Sequence, residues 1–129
     1  MAVYSNISKE FLQIVQIVTD LTAGVPERLS ENAIGFLMCD SQVDYQGVVG
    51  LLNGRLAIPI VGGTTFTDPL GSEDEERSAS LTILELEEGA CSVKISEPLS
   101  AANIQQMDQL YQECVGGLRE TPKLLMMFV

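Results

Sequence analysis

Histidine and tryptophan are absent from the 129 residues, and basic side chains are scarce: 7 Lys and Arg stand against 18 Asp and Glu, a formal charge of −11. Without histidine the chain lacks the usual general base and the commonest metal ligand. The acidic excess repels phosphate backbones and anionic lipid surfaces, which excludes nucleic acid and membranes as natural partners. It leaves a neutral, zwitterionic or cationic small molecule. Cysteine is sparse as well. Cys39, Cys91 and Cys114 lie far apart and form no CxxC pair, which argues against a zinc site and against a secreted disulfide scaffold. Cys39 and Cys91 fall in expected strands and Cys114 on the apolar face of an expected helix, so all three read as buried, reduced thiols. No apolar run reaches the ~18 residues of a membrane span, and the N-terminus has no signal-peptide pattern, so a cytoplasmic location is expected. Catalytic signatures are missing too: there is no GxSxG elbow, no Walker loop with its lysine and no GxGxxG fingerprint. A non-enzyme without cofactor or metal is expected.

What the chain does have is a 46% hydrophobic composition, ordinary for a globular protein, in a length suited to a single α/β domain over 1–129. Ala2 to Tyr4 reads as a short strand. From Ser8 to Ala23, Phe11, Ile14, Val15, Val18 and Leu21 recur at helical spacing, with Ile17 widening the stripe and Gly24 and Pro26 as the stop. Ala33 to Cys39 is a continuous apolar run, the pattern of a strand covered on both faces. Ser41 and Asp44 form an Ser-x-x-Asp signature that opens a second helix with Ser41 as its cap, ended near Leu52 by Asn53-Gly54. Gly47 and Gly50 sit within it at a cost of ~1 kcal/mol each relative to alanine, which implies a close approach to a neighbour. Leu56 to Val61 reads as a strand, and Pro59 places it at an edge or a bulge. An acid-rich loop follows over 66–78. Ala79 to Leu86 and Cys91 to Ser96 read as a hairpin around Glu87-Glu88-Gly89-Ala90. Ser100 opens a third helix with a stripe of Ile104, Met107, Leu110, Tyr111, Cys114, Val115 and Leu118, and Leu124 to Val129 reads as an apolar central strand. The fold class expected is α/β, a mixed β-sheet with crossover helices and an antiparallel hairpin.

A strand–helix–strand unit places its strands parallel and adjacent. The loops leaving the strand ends at Asp40-Ser41 and at Gly62-Gly63-Thr64-Thr65 then share one rim, the place where small ligands bind in open α/β sheets. Glycines bring backbone N–H groups close to a ligand, the threonine hydroxyls both donate and accept, and Asp40 supplies a carboxylate. Ser41 lies beside the N–H groups of a helix start, and Ser5-Asn6 leave the first strand near the same rim. Donors for a carboxylate beside an aspartate for an ammonium suit an amino-acid-like zwitterion. Two alternatives stand beside this site: an ordinary strand exit, and a protein-binding edge. Pairing with a second copy through the hairpin edge or the last strand would make the chain a dimerisation module.

The segment Pro59-Ile60-Val61-Gly62-Gly63-Thr64-Thr65, behind a strand and a helix, resembles the signature turn of the FIST sensory domain, and Val3-Tyr4-Ser5-Asn6 resembles that family's opening segment. The order of elements agrees over nearly the whole chain. Gly63 stands where the family has cysteine, Thr64 where it has serine, and Phe66-Thr67 where it has a small Ala-Gly pair. The resemblance implies the N-terminal part of a longer intracellular sensor that binds small ligands such as amino acids and is joined to a signalling output domain.

Overall fold

A computed structural model describes residues 1–65, 79–87, 91–95 and 104–127. The elements are β1 (Ala2–Ser8), α1 (Ile14–Leu21), β2 (Ala33–Asp40), α2 (Tyr45–Arg55), β3 (Ile60–Thr65), β4 (Ala79–Glu85) and α3 (Ile104–Gly116). They fall into two compact units, Met1–Glu88 and Gly89–Met127. The first unit is an α/β structure built on a four-stranded mixed sheet of order β1-β4-β2-β3. β4 runs antiparallel to both β1 and β2, while β3 is parallel to β2, as a strand–helix–strand unit requires. The antiparallel part of the sheet is thus made by β4 with β1 and β2. Residues 91–95 carry no strand, so the expected partner of a local hairpin is replaced by long-range pairing; its turn at 88–90 lies outside the described residues.

The pleat explains the core. Ala33, Leu37 and Cys39 of β2 and Ala79, Leu81 and Ile83 of β4 alternate inward and are buried beneath Ile17, Val18 and Leu21 of α1 and Val48 and Leu52 of α2. Each fully buried Val, Leu or Ile contributes about 1.5–3 kcal/mol by leaving water. α1 packs on β1, β4 and α2, and α2 on β3 and α1. The inward stripe of α1 is Ile14, Ile17, Val18 and Leu21, narrower than expected, because the helix starts only at Ile14; Phe11 precedes it, and Phe11 and Val15 are exposed. Asn6 ties α1 to β1: its Nδ2 donates to the carbonyls of Leu21 at 3.1 Å and Ala23 at 2.9 Å. That finding corrects the placing of Ser5 and Asn6 on the rim, since both lie inside β1, which is longer than Ala2 to Tyr4. β2 was expected to be covered on both faces. Helices cover one, and Ile34, Phe36 and Met38 on the other are half-buried.

α2 begins at Tyr45, with Asp44 rather than Ser41 as its cap: the Asp44 carboxylate accepts from the Gly47 N–H at 3.1 Å. Asp44→Ala should cost about 1 kcal/mol in urea unfolding, while Ser41→Ala, at an exposed turn, stays within about 0.5 kcal/mol. The helix runs past Asn53-Gly54 to Arg55, a basic last-turn residue that favours the negative helix end. Pro59 sits just ahead of β3, an edge strand, and its carbonyl accepts from the Gly35 N–H at 2.9 Å. Gly47 is where α2 meets α1: a Cβ there would lie 2.5 Å from Ile14 Cδ1, whereas one on Gly50 meets nothing within 4 Å.

In the second unit α3 has no buried residue: Ile104, Met107 and Tyr111 of its stripe are exposed, and Leu110, Cys114, Val115 and Leu118 are half-buried. The Cys114 thiol donates to the Ser92 carbonyl at 3.2 Å. Leu124 to Met127 form no strand and are exposed, against the expectation of a buried central strand. An apolar run specifies burial only where a neighbouring strand can pair with it. The acid-rich loop 66–78, the Ser100 cap and residues 128–129 lie outside the described residues.

Candidate functional site

Because β1, β2 and β3 all run opposite to β4, their carboxyl ends meet at one end of the sheet. Ser8 lies across Ala79, which lies across Cys39, which lies across Thr64; Asp40 lies across Thr65. The parallel adjacency of β2 and β3 follows the crossover argument and sets Asp40 beside Thr65, but Gly62 to Thr65 are not a loop leaving the strand: β3 starts at Ile60 rather than Leu56, behind Pro59, so Gly62 and Gly63 lie within it opposite Leu37 and Met38. Thr64 shares the helix-covered side of the sheet with Cys39, and its side chain is exposed. Gly63 is half-buried, and a Cβ on it would meet open space.

Gly62 has a different task. Its φ is +143°, and a Cβ at this position would collide with the Leu37 carbonyl of β2. The residue lets β3 approach β2 while twisted away from ordinary strand geometry, so its reason is structural before any ligand is considered.

The loops on this rim satisfy their own N–H groups with carboxylates. After β1, one oxygen of Glu10 accepts from Phe11, Leu12 and Gln13 at 3.2, 3.0 and 3.3 Å. The bonds from Leu12 and Gln13 hold its carboxyl below the usual carboxylate value. After β2, Asp40 Oδ1 accepts from the Gln42 N–H at 3.0 Å, its carbonyl accepts from Val43 at 2.9 Å, and Asp44 caps α2. The start of α2 is therefore occupied by Asp44, and Ser41 is an exposed turn residue rather than a helix-start donor. Glu10 was not singled out from sequence. Its signal is a lone acid a few residues ahead of a helical stripe.

Cys39 is fully buried beside this rim, and burial pushes its thiol from 9.0 up to about 11. Burial also raises the Tyr45 hydroxyl, with the charge of Cys39 adding to it. Such a thiol is a core atom, not a nucleophile. A folded value raised in this way gives stability that is complete below 9.0 and is lost as pH rises through about 11. Cys39→Ala should flatten that alkaline loss, and thiol labelling of the native protein should modify exposed Cys91 first and spare Cys39 until unfolding. Exposed Cys91 and half-buried Cys114 correct the expectation that all three thiols are buried. Among the described residues no three Cys, Asp or Glu side chains gather as metal ligands. Two hollows lie at the opposite end of the sheet, one of about 170 Å³ lined by Glu27, Arg28, Leu29, Leu56, Ala57 and Ile58, the other by Thr22, Val25, Pro26, Glu27, Arg55 and Leu56.

No family model matches the chain, and no curated protein matches it significantly. Among solved structures it is similar to an empty FtsZ dimer of M. jannaschii, with a TM-score of 0.43 and 16% identity, over 64% of this chain and 26% of that one. The matched part is about a quarter of the FtsZ chain, and a similarity at this level carries no argument about activity.

Proposed function

We propose that this chain is a small-ligand sensing module in signal transduction, of the kind the FIST domain represents, acting in the cytoplasm without catalysis. Its ligand engages Asp40, Ser41, Gly62, Gly63, Thr64 and Thr65. The observation that supports this reading is the register that sets Asp40 opposite Thr65 at the end where three strands terminate. An amino-acid-like zwitterion fits the chemistry. Its ammonium pairs with the Asp40 carboxylate, and its carboxylate takes the threonine hydroxyls and the backbone of Gly63 and Thr64. The start of α2 contributes little, since Asp44 caps it. No helix among the described residues is long and apolar enough to cross a membrane.

Calorimetric titration with a panel of free amino acids tests the site. Asp40→Asn should weaken binding at least tenfold, as expected when a charge-assisted bond worth about 1.5–3 kcal/mol becomes neutral. The Thr64→Val/Thr65→Val pair should weaken it similarly. Unchanged affinity in both variants sinks the site.

The second reading, a protein-interaction module, draws on the exposed apolar side chains of Leu124 to Met127 and of Val3 and Ile7. A melting temperature that rises with protein concentration, and not with amino acids, favours it.

A further inference from the structure

The two edges of the sheet are built differently. β3 is blunted: Pro59 precedes it, and Gly62 twists it at φ +143°. β1 has no such device. Ala2–Ser8 holds seven consecutive ladder positions against β4 without proline, bulge or charged side chain, in a chain with 25 charged residues, 18 acidic plus 7 basic. Natural sheets protect their edges with exactly those missing features, because an unpaired row of N–H and C=O groups recruits another strand. Among the described residues no strand pairs with the outer side of β1.

We propose that the outer edge of β1 pairs antiparallel with β1 of a second copy, joining two sheets across a two-fold axis. The strand is complementary to itself. Centred on Ser5, the pairing sets Val3 opposite Ile7 of the other copy, twice over, with Tyr4 opposite Asn6 and Ser5 opposite itself. Val3 and Ile7 are 56% and 47% exposed, and both lie on the side of the sheet away from α1 and α2. The pairing gives each an apolar cross-strand partner, the unit that stabilises antiparallel sheets. No charge meets a like charge within the paired strand. An isologous contact of this kind closes at a dimer, and the blunted β3 edge keeps the sheet from growing further. This differs from the edges expected from sequence, since residues 91–95 and 124–127 form no strand. It holds whether or not the rim binds a ligand.

Sedimentation equilibrium of the full chain over a range of concentrations tests it. The wild type should show a reversible monomer–dimer equilibrium that tightens with added salt, because each copy carries a charge of −11. Val3→Lys and Ile7→Lys should each raise the dimer Kd on the order of tenfold or more, since each change disrupts the same contact twice. Both positions are solvent-facing, so circular dichroism should be unchanged. Lysine also lowers the net negative charge, so association driven by general electrostatics would instead strengthen. As a second readout, amide exchange along β1 should slow as concentration rises. A wild type that stays monomeric throughout, or a dimer whose Kd in both variants equals that of the wild type, overturns the proposal.

Discussion

Gly62→Ala should cost about 2–5 kcal/mol, combining the penalty of a side chain at positive φ with that of a forced contact in a packed sheet. The new methyl group meets the Leu37 carbonyl, a backbone atom of central strand β2 that cannot swing aside. Against a typical total stability of 5–15 kcal/mol, the loss lowers the thermal midpoint by roughly 10 °C or more. Gly63→Ala is the control. Its Cβ meets open space and its φ is unremarkable, so the change should stay within about 0.5 kcal/mol. Adjacent glycines thus give opposite outcomes in one thermal melt. Equal losses at both would show that the pair is needed for a reason other than the approach of β3 to β2.

Leu37→Ala should cost a further large amount, about 2–5 kcal/mol in urea unfolding. Leu37 is fully buried and lies across Leu81 on one side and Gly62 on the other. Gly62 has no side chain with which to fill the space vacated, so the cavity cannot collapse from that direction. Ile34→Ala, on the half-buried opposite side of β2, should cost clearly less. A smaller loss at Leu37 than at Ile34 would mean that the core lies on the other side of the sheet.

The segment from Ala33 to Thr65 was the most legible in the sequence in its order of elements, though not in the bounds of α2 and β3. An apolar run, a polar break, a short helix and a second apolar run specify a β2–α2–β3 unit, and its parallel register follows from the crossover. The cap was misplaced from Asp44 to Ser41 because both residues satisfy the same preference, and only the bond to Gly47 decides between them. Other misreadings have a common cause. Phe11, Val15, Cys91 and Leu124 to Met127 are apolar and periodic or continuous, yet exposed. Pattern reports what a segment could bury, while burial depends on which neighbours arrive. β4 shows the same limit from the other side: it pairs with β1 and β2, far away in sequence, in preference to the segment next to it.

The candidate rim was legible in position and less so in chemistry. Topology alone places Asp40 beside Thr65. That Gly62 is held for its backbone, that Glu10 binds the N–H groups of the loop after β1, and that Asp44 caps α2 depend on a φ angle and on hydrogen bonds that spacing does not encode. The loops of the rim carry the carboxylates of Glu10, Asp40 and Asp44, each turned onto backbone N–H groups of its own segment.

Amide chemical shifts recorded while free amino acids are titrated into the full chain resolve where, and whether, a ligand sits. A small-ligand rim requires saturable shifts concentrated at 40–41 and 62–65 that vanish in Asp40→Asn. Shifts confined to 22–29 and 55–58, around the hollows at the far end of the sheet, or no saturable shift with any amino acid, would contradict it.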